Sequence, residues 1–424
     1  MRTLLPRVRL VIAVFIVASV AMACGTPAHR SASIRVLHWE VISSTSAVTP
    51  WIVADMDSRD GRLTWYDNCT RRVERYFNLD PLGNPSNFSY PSKYNDETLW
   101  FWNGSKWQPL KTSIKLNPNI SLGIYPATWN SSECKIILTS SDISTSFWLL
   151  SAALHPGEVL NPTWVFNGES WDIVSPMSPQ IDSPPGGYSV YSVMIYYPPT
   201  HSVLYVGFQY STNRTFPVPK GNSDQVLHQL LRDESNVYQT THLTGFDESD
   251  STWEFVNDTW VKQYRSATLP RIANRLAVYD PSTQSIVLFG GQTVTLSAGQ
   301  ISPPQPVYDT WLWNGTTWTQ PHSLNVPHVN TSYSAMAYDP LLKGVVLYDT
   351  QSRVTWLWTG TNWKSLATTN MVYPPLMSTP SMVFDQATNQ LLLTGGNELR
   401  LTKRNQSILI RRASSTWVLA GSPS

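Results

Sequence analysis

After its first thirty residues, the chain is a succession of short apolar segments separated by polar turns, and one arrangement of them recurs six times. In LAVYDPSTQSIVLFGG (276–291) and AMAYDPLLKGVVLY (335–348), a turn opened by Asp-Pro joins a small, apolar segment to a strongly apolar one. Segments that are apolar at consecutive positions are typical of strands buried on both faces of a sheet. Each copy therefore predicts two antiparallel inner strands. The other copies are MVFDQATNQLLLTGG (382–396), VMIYYPPTHSVLYVG (193–207), IYPATWNSSECKIILTSS (124–141) and IVADMDSRDGRLTWY (52–66).

A tryptophan-rich segment follows most of these strand pairs, and DTWLWNGTTW (309–318) is the clearest example. Asn-Gly between alternating apolar residues is a strong signal for a hairpin with a two-residue type I′ turn, in which both residues have positive φ. Such a turn at Asn314-Gly315 would place Trp311 directly opposite Trp318. We interpret these indole pairs as a repeated packing device and not as ligand sites. The same spacing occurs at Trp100/Trp107, Trp164/Trp171, Trp253/Trp260, Trp311/Trp318 and Trp356/Trp363, the third with the least suitable turn, Val256-Asn257.

Each strand pair and its hairpin together make a four-stranded antiparallel sheet. Six such sheets around an axis form a six-bladed β-propeller, because a fixed repeat lets many small units build one large domain. The sequence therefore predicts an all-β protein with a propeller over residues 34–424. The predicted blades lie at about 51–110, 120–176, 187–265, 272–322, 332–367 and 378–421, the last together with 34–44.

The last copy contains only the first half of a tryptophan hairpin, TWVLAG (416–421). The missing strand can come from the N-terminal side of the repeats, where HWEVISS (38–44) parallels SWDIVSP (170–176), the outer strand of the second copy. An N-terminal strand in the last blade would join the two ends of the repeat region and remove an open sheet edge. We expect Trp39 to partner Trp417 in that sheet.

The repeat resembles that of the kelch and galactose-oxidase type of propeller, which has a Gly-Gly pair after the second strand and spaced aromatic residues later. The matching positions are Gly290-Gly291, Gly395-Gly396 and, in half, Val206-Gly207. The other three copies lack the pair, and the aromatic spacing differs from that of the family. Its copper enzymes use Tyr and His ligands and a cysteine cross-linked to tyrosine, a setting that none of the three cysteines here matches. The resemblance therefore implies the fold and not the activity.

The first residues have the pattern of a secretory signal peptide, with three arginines, an apolar stretch over 10–20 and then Ala21-Met22-Ala23-Cys24. Cleavage before Cys24 would leave a cysteine that resembles the lipid-accepting residue of bacterial lipoproteins. We therefore expect a signal peptide over 1–23, lipidation of Cys24, a linker over 24–33 and anchoring at the outer face of a membrane. Secretion after ordinary cleavage and an uncleaved anchor are the alternatives.

Charge and histidine content argue against two classes of function. The formal net charge is +1, and removal of residues 1–23 leaves 27 basic against 29 acidic side chains. Nucleic acid is therefore an unsuitable partner, because binding to phosphates needs a concentrated basic surface. The eight histidines are scattered without metal-ligand spacing, so we expect neither a metal nor another cofactor.

Any binding surface should lie on the face of the propeller that carries the long connections, because function is usually placed on variable loops over a rigid scaffold. The long connections are expected at 67–96, 142–161, 208–251, 292–308 and 319–332, and the third holds a predicted helix after Ser223-Asp224. We predict a monomeric binding module for an unknown protein or glycan, with no catalytic residue assigned. The alternative is a carbohydrate-active enzyme with its site at the central opening of that face. Tyr188, Tyr191, Tyr196 and Tyr197 suggest either a carbohydrate platform or core packing.

Cys69 and Cys134 are the two cysteines that remain if Cys24 is lipidated. The predicted strands place Cys69 after a second strand and Cys134 before one in the next blade, on opposite faces of the propeller. Because a disulfide requires Cα atoms within about 7 Å, we expect no bridge between them.

Overall fold

The computed structural model describes residues 36–43, 62–77, 99–109, 127–139, 163–166, 171–175, 192–207, 210–212, 243–246, 251–263, 269–270, 272–293, 296–297, 300–301, 304–368, 372–401, 407–412 and 415–422. The predicted signal peptide, Cys24, the linker and the predicted helix after Ser223-Asp224 lie outside these ranges. The described helical structure consists of two 3-10 turns, Pro198–Thr200 and Thr331–Tyr333. No helix in the described part of the chain has the length and apolar character needed to span a membrane.

An N-terminal strand, β1 (Val36–Ser43), comes before the first of six four-stranded antiparallel blades. The first blade consists of β2 (Arg62–Asp67), β3 (Arg72–Phe77), β4 (Leu99–Trp102) and β5 (Trp107–Pro109). The second consists of β6 (Ala127–Asn130), β7 (Lys135–Thr139), β8 (Thr163–Phe166) and β9 (Trp171–Ser175). The third consists of β10 (Val193–Tyr197), β11 (Ser202–Gly207) and, after the separate hairpin of β12 (Tyr210–Thr212) and β13 (Leu243–Phe246), β14 (Ser251–Val256) and β15 (Thr259–Lys262).

The last three blades follow the same plan, and the fourth and sixth have additional short strands beside them. The fourth consists of the extra strand β16 (Ile272–Ala273), β17 (Leu276–Asp280), β18 (Ser285–Thr293) and, after the small pair β19 (Leu296–Ser297) and β20 (Gln300–Ile301), β21 (Pro306–Trp313) and β22 (Trp318–Thr319). The fifth consists of β23 (Ser334–Asp339), β24 (Gly344–Asp349), β25 (Val354–Trp358) and β26 (Trp363–Leu366). The remaining strands are β27 (Met377–Ser378), β28 (Ser381–Asp385), β29 (Gln390–Thr394), β30 (Asn397–Leu401), β31 (Ser407–Arg412) and β32 (Thr416–Ser422). The sixth blade consists of β28, β29, β32 and β1. A separate sheet consists of β27, β30 and β31.

The blades form a closed ring, as the sequence predicts. The innermost strands contact one another in the order β2, β6, β10, β17, β23, β28 and back to β2. β1 pairs with β32, which confirms that an N-terminal strand completes the last blade. The predicted partnership of Trp39 and Trp417 is wrong, because Trp39 lies opposite Leu419, and Val41 lies opposite Trp417.

The core lies between the blades and not within any one of them. In the third blade, Leu204 packs in a cluster with the fourth blade, whereas its neighbour Val203 packs in a cluster with the second. In the fourth blade, Ile286 faces the third blade and Val287 faces the fifth. Second strands are therefore buried on both sides, which explains their uninterrupted apolar sequences.

The turn between the first and second strands is the same in all six blades. Each turn has four residues, and the last of them has a φ between 52° and 57°. Most of the preceding strands end in a buried Asp or Asn whose side chain accepts hydrogen bonds from turn amides, as Asp339 Oδ1 does from Leu341 N at 2.8 Å. The six residues with positive φ are Arg71, Cys134, His201, Gln284, Lys343 and Asn389.

The register predicted for the tryptophan hairpins is wrong by two residues. Trp318 lies opposite Trp313 and not opposite Trp311, and the corresponding pairs are Trp102/Trp107, Phe166/Trp171, Phe255/Trp260 and Trp358/Trp363. Asn314 does not form the predicted type I′ turn, because its Oδ1 accepts from Thr316 N and Thr317 N and Gly315 alone has positive φ. The two-residue turn with two positive φ values occurs instead at Asn257-Asp258, in the hairpin whose turn was the least suitable in the sequence.

Five of the blade junctions share a hydrogen bond that the sequence analysis does not predict. The indole Nε1 of the tryptophan in an outermost strand donates to a threonine hydroxyl in the third strand of the preceding blade. The pairs are Trp39–Thr355, Trp107–Thr416, Trp260–Thr163, Trp318–Thr252 and Trp363–Thr310, with distances of 2.7–3.2 Å. We call these bonds the Trp–Thr bonds. They satisfy indole N–H groups in the interior while joining neighbouring blades.

Two predictions about the first blade are wrong, and the second error follows from the first. Its first two strands are β2 and β3, so the turn between them is 68–71 and not a turn within 52–66. Cys69 therefore lies in the same kind of turn as Cys134, on the same face of the ring. The Cα atoms are 6.3 Å apart and the two cysteines form a disulfide, contrary to our expectation.

Candidate functional site

The connections of each blade divide between two faces of the ring. The first-to-second turns and the hairpin turns lie on one face, which we call the short-turn face. The second-to-third connections and the connections between blades lie on the opposite, long-loop face. No long connection was predicted within the fifth blade, and only residues 350–353 join β24 to β25. The sixth blade has a long one that was not predicted, with β30 and β31 inside it.

Glycine pairs shape the long-loop end of two blades. Gly290 and Gly291 have φ values of 63° and 113°, in the region that glycine adopts without steric cost. A Cβ at Gly291 would collide with the carbonyl oxygen of Ala273, so this glycine lets β16 pair with the end of β18. Gly396 makes the same approach possible for the carbonyl oxygen of Ser378. The pairs that carry the kelch resemblance therefore have a defined steric role.

A buried ion pair lies close to β16 and involves Arg275, two residues after that strand. The side chain of Arg275 is 2% exposed, and its Nη1 donates to Asp309 Oδ1 at 3.2 Å. Its Nη2 donates to the carbonyl oxygen of Pro270, and Asp309 Oδ2 accepts from Trp311 Nε1 at 2.7 Å. Because both carboxylate oxygens are engaged, Asp309 positions its neighbours and is not placed as a free general base.

Four polar and aromatic side chains near the β16–β18 pair form a surface that we call the rim patch: Gln292, Tyr308, His328 and Asn330. Half-buried Tyr308 and exposed His328 have ring centroids 4.5 Å apart and planes inclined by 42°. Gln292 Nε2 donates to Asn330 Oδ1 at 3.3 Å, and the same oxygen accepts from Ser332 N. The Gln292 Oε1 acceptor and the Asn330 Nδ2 donors have no partner within the described ranges. The rim patch thus combines aromatic surface with hydrogen-bonding groups that are free to bind a ligand.

A second largely buried carboxylate of the long-loop face also has a structural role. Asp349 Oδ1 accepts from Ser334 Oγ at 3.1 Å, and its Oδ2 accepts from Ser352 N at 2.8 Å. Asp349 therefore holds the short connection of the fifth blade. Asp309 and Asp349 do not form a free carboxylate pair, as glycoside hydrolysis would need.

The carboxyl groups with raised pKa values belong to the short-turn side. Burial raises the pKa of Asp339, although hydrogen bonds from Leu342 N and Leu341 N oppose the shift. Burial also raises the pKa of Glu74, which is opposed by its contacts with Arg72 and Thr70. A perturbed pKa can mark a functional site, but here each carboxyl group organises its own turn or strand.

One group of possible metal ligands occurs in the described ranges, formed by Asp67, Cys69 and Cys134. Both sulfur atoms are used in the disulfide, and Asp67 Oδ1 accepts from Cys69 N and Thr70 N. The cluster is therefore a bridged turn and not a metal site.

The residues singled out in the sequence lie mainly in the scaffold. Trp107, Trp318 and Trp363 are buried in the interblade clusters, and the residues predicted as their partners, Trp100, Trp311 and Trp356, pack against those clusters. Trp253 and Trp260 pack around Phe255, while the side chains of Trp164 and Trp171 are outside the described set. Tyr196 and Tyr197 are core residues, and Tyr197 OH donates to the carbonyl oxygen of Gln284 in the next blade. Tyr188 and Tyr191 lie outside the described residues.

Sequence reasoning missed the rim patch. Its members come from the end of one strand, the start of another and a connection between blades, so no spacing along the chain links them. The only signal was indirect: the segments 292–308 and 319–332, which contain or adjoin these residues, were expected on the long-loop face.

The comparisons with known proteins show resemblance in architecture only. No family model and no curated protein matches the sequence. A GH93 α-L-arabinofuranosidase of Fusarium graminearum, solved with arabinobiose, is 9% identical with a TM-score of 0.46, covering 90% of this chain and 97% of that one. A protein named YjhT is 9% identical with a TM-score of 0.42, over 87% of this chain and 95% of its own. A mutant α-L-arabinofuranosidase from Fusarium graminearum with an iminosugar inhibitor is 10% identical with a TM-score of 0.43, over 82% and 89%.

Proposed function

We propose that this protein is an extracytoplasmic propeller that recognises carbohydrate on its long-loop face, with the rim patch as a contact surface. The observation that carries the proposal is the tilted ring pair of Tyr308 and His328 beside the hydrogen-bonded amides of Gln292 and Asn330, which keep further donor and acceptor capacity. Sugars present apolar C–H faces and hydroxyl groups that both donate and accept hydrogen bonds. An aromatic surface beside carboxamide groups complements both features.

Recognition without hydrolysis is the function that the described carboxylates support best. A glycosidase needs two carboxyl groups about 5–5.5 Å apart for retention or about 6.5–9.5 Å apart for inversion. In the described part of the long-loop face, Asp309 and Asp349 have all four of their oxygens engaged by neighbouring groups. A carbohydrate-active enzyme would therefore need a carboxyl group other than those of Asp309 and Asp349.

The extracytoplasmic location rests on two separate features. Residues 1–23 have the pattern of a signal peptide, and Cys24 follows the expected cleavage site. The Cys69–Cys134 disulfide supports an oxidising compartment, because disulfides are rare in proteins of the cytosol. We propose lipidation of Cys24 on the same sequence grounds. Intact mass of the mature chain and of Cys24→Ser tests it, because a lipidated wild type would be heavier by diacylglycerol and acyl groups that the variant lacks.

A glycan array followed by calorimetry on the best hits tests the recognition. Tyr308→Ala and His328→Ala should each weaken binding about 10-fold, as expected for the loss of roughly 1.4 kcal/mol of contact energy. Leu341→Ala is the control, because Leu341 is 53% exposed on the short-turn face. Equal binding by all four proteins would show that the rim patch is not the site, and the absence of any glycan hit would remove the proposal.

Prolonged incubation with each bound glycan separates recognition from catalysis. We expect no release of reducing ends by the full chain. Release of reducing ends that a rim-patch substitution abolishes would establish the enzyme in place of the binding module.

A further inference from the structure

One of the six blade junctions differs from the others in how it can be held. At the five junctions with a Trp–Thr bond, the acceptor threonine occupies an equivalent register position in the third strand. Thr310 lies opposite Phe289, and Thr355 lies opposite Tyr348, the fifth residue of β24. In the first blade the same register position, opposite Tyr76, holds Leu99. A leucine side chain has no acceptor atom, so the first and second blades cannot share a bond of this kind through Leu99.

The disulfide joins the same two blades. Cys69 lies in the turn between β2 and β3, and Cys134 lies in the turn between β6 and β7. The same turns are linked by a hydrogen bond from Asn68 Nδ2 to the carbonyl oxygen of Ser131 at 3.0 Å. Trp65 and Trp129 stack beside them with ring centroids 5.4 Å apart.

We propose that the Cys69–Cys134 bridge takes the place of the Trp–Thr bond at this junction, and that its reduction loosens the ring between the first and second blades before any other junction. The bridge closes a segment with a sequence separation of 65 residues, which includes most of the first blade. Crosslinking a segment of this length strongly restricts the unfolded chain and its partly opened forms. Without the bridge, the described contacts that remain at this junction include the Asn68–Ser131 hydrogen bond and the Trp65–Trp129 ring pair.

The bridge is accessible to a reductant. Cys69 is exposed and Cys134 is half-buried, both in turns on the short-turn face. A dithiol such as dithiothreitol supplies two electrons and two protons. The Sγ–Sγ bond breaks, each cysteine becomes a thiol, and the reductant closes to a cyclic disulfide. The junction would thus respond to the redox state of its surroundings while the other five do not.

Hydrogen–deuterium exchange of the full chain with and without dithiothreitol tests the location of the effect. We expect at least about 10-fold faster exchange in peptides covering 62–77 and 127–139, with little change in 334–358 of the fifth blade. The melting temperature should fall by about 5 °C. Uniform acceleration over all blades, or opening first at β1 and β32, would overturn the proposal.

Two substitutions of nearly equal shape test the reason for the effect. Leu99→Thr places a hydroxyl at the register position of the other acceptors, and Trp171, paired with Phe166, occupies the register position of the other donors. Leu99→Val has the same branching without a hydroxyl. In the Cys69→Ala/Cys134→Ala background, Leu99→Thr should recover about half of the lost melting temperature, and Leu99→Val should recover none. Equal behaviour of the two would refute compensation by the bridge. If neither variant folds, the exchange pattern of the reduced wild type decides the proposal.

Discussion

On the short-turn face all six blades repeat one four-residue turn, whereas on the long-loop face the second-to-third connections range from 350–353 in the fifth blade to 208–250 in the third. The repeated turns lie next to the innermost strands, where any change in geometry would alter the contacts that close the ring. We call the six blades and their repeated short turns the frame. The connections that vary in length lie on the opposite face, where a binding surface can evolve.

The comparison also separates two kinds of buried polar residue. Asp339 on the short-turn face organises its own turn, and related side chains do the same in other blades. Arg275 and Asp309 on the long-loop face occur together in a single blade and join segments that are distant in sequence. Substitutions in the frame should alter stability alone, whereas substitutions in the rim patch should alter binding alone.

The largest expected loss of stability follows the removal of a buried indole from the frame. Trp363 is fully buried, lies 5.4 Å from the Trp358 ring and donates to Thr310 Oγ1. Trp363→Ala should lower the free energy of unfolding by about 3–5 kcal/mol, as for other large aromatic truncations. Chemical denaturation measures it, with exposed Lys364→Ala as the control. A loss below about 1 kcal/mol would show that the frame tolerates large cavities.

A smaller effect is expected at the boundary between the frame and the long-loop face. Gly291→Ala and Gly104→Ala both force alanine to a positive φ, which costs roughly 1–2 kcal/mol. Only the first also brings a Cβ against the backbone of Ala273, whereas Gly104 has open space around it. Gly291→Ala should therefore be clearly more destabilising in the same denaturation experiment. Equal losses would mean that β16 can move away without cost.

Loss of a single Trp–Thr bond should lower the free energy of unfolding by less than the loss of a whole indole. Thr310→Val keeps the shape of the side chain but leaves Trp363 Nε1 buried without its acceptor. We expect a loss of about 1–3 kcal/mol in the free energy of unfolding, the usual cost of an unsatisfied buried donor. Thr316→Val in an exposed hairpin turn is the control. No difference between the two variants would show that the blades are held by apolar packing alone.

The smallest expected effect on stability comes from the protonation of Asp339. Because burial raises the pKa of Asp339, the folded state binds its proton more tightly than the unfolded state does. This carboxyl group therefore makes stability fall as pH rises from its unfolded pKa, near 3.8, through its higher folded pKa. Asp339→Asn keeps a turn acceptor, as Asn130 does in the second blade, and should remove this part of the pH dependence.

Denaturation curves of wild type and Asp339→Asn between pH 3 and pH 7 give the comparison. The variant should gain stability relative to wild type as pH rises, by up to about 1 kcal/mol. A relative loss of stability at neutral pH would mean that the ionised carboxylate strengthens the turn by more than its burial costs.

Much of the frame could be predicted from sequence because it follows from local patterns. The apolar segment 276–291 and its relatives gave the inner strands, and their number gave six blades. The closing strand could be found because residues 38–44 resemble 170–176. The rim patch could not, because Tyr308 and His328 meet only after two connections have folded back over the fourth blade.

The hairpin and first-blade errors both arise in turns, where the local sequence signal was misleading or missing. Asn314 satisfies two turn amides with its side chain, so the hairpin turn is longer than Asn-Gly predicts and its register shifts by two residues. The first blade lacks the Asp-Pro pair that marks this turn in the clearest copies, although Asp67 accepts from Cys69 N and Thr70 N as Asp339 does from Leu341 N and Leu342 N. The missing signal displaced one predicted strand pair and thereby put Cys69 on the wrong face.

The sequence by itself determined most of the segments that become blade strands, the number of blades and that one strand must come from the other end of the repeats. These features depend on burial patterns of a few adjacent residues, which the chain carries locally. The tertiary structure alone decided which threonine receives each indole N–H, that Cys69 meets Cys134, and which side chains form the rim patch. Those contacts join residues of different blades, and their distances are fixed only when the ring closes.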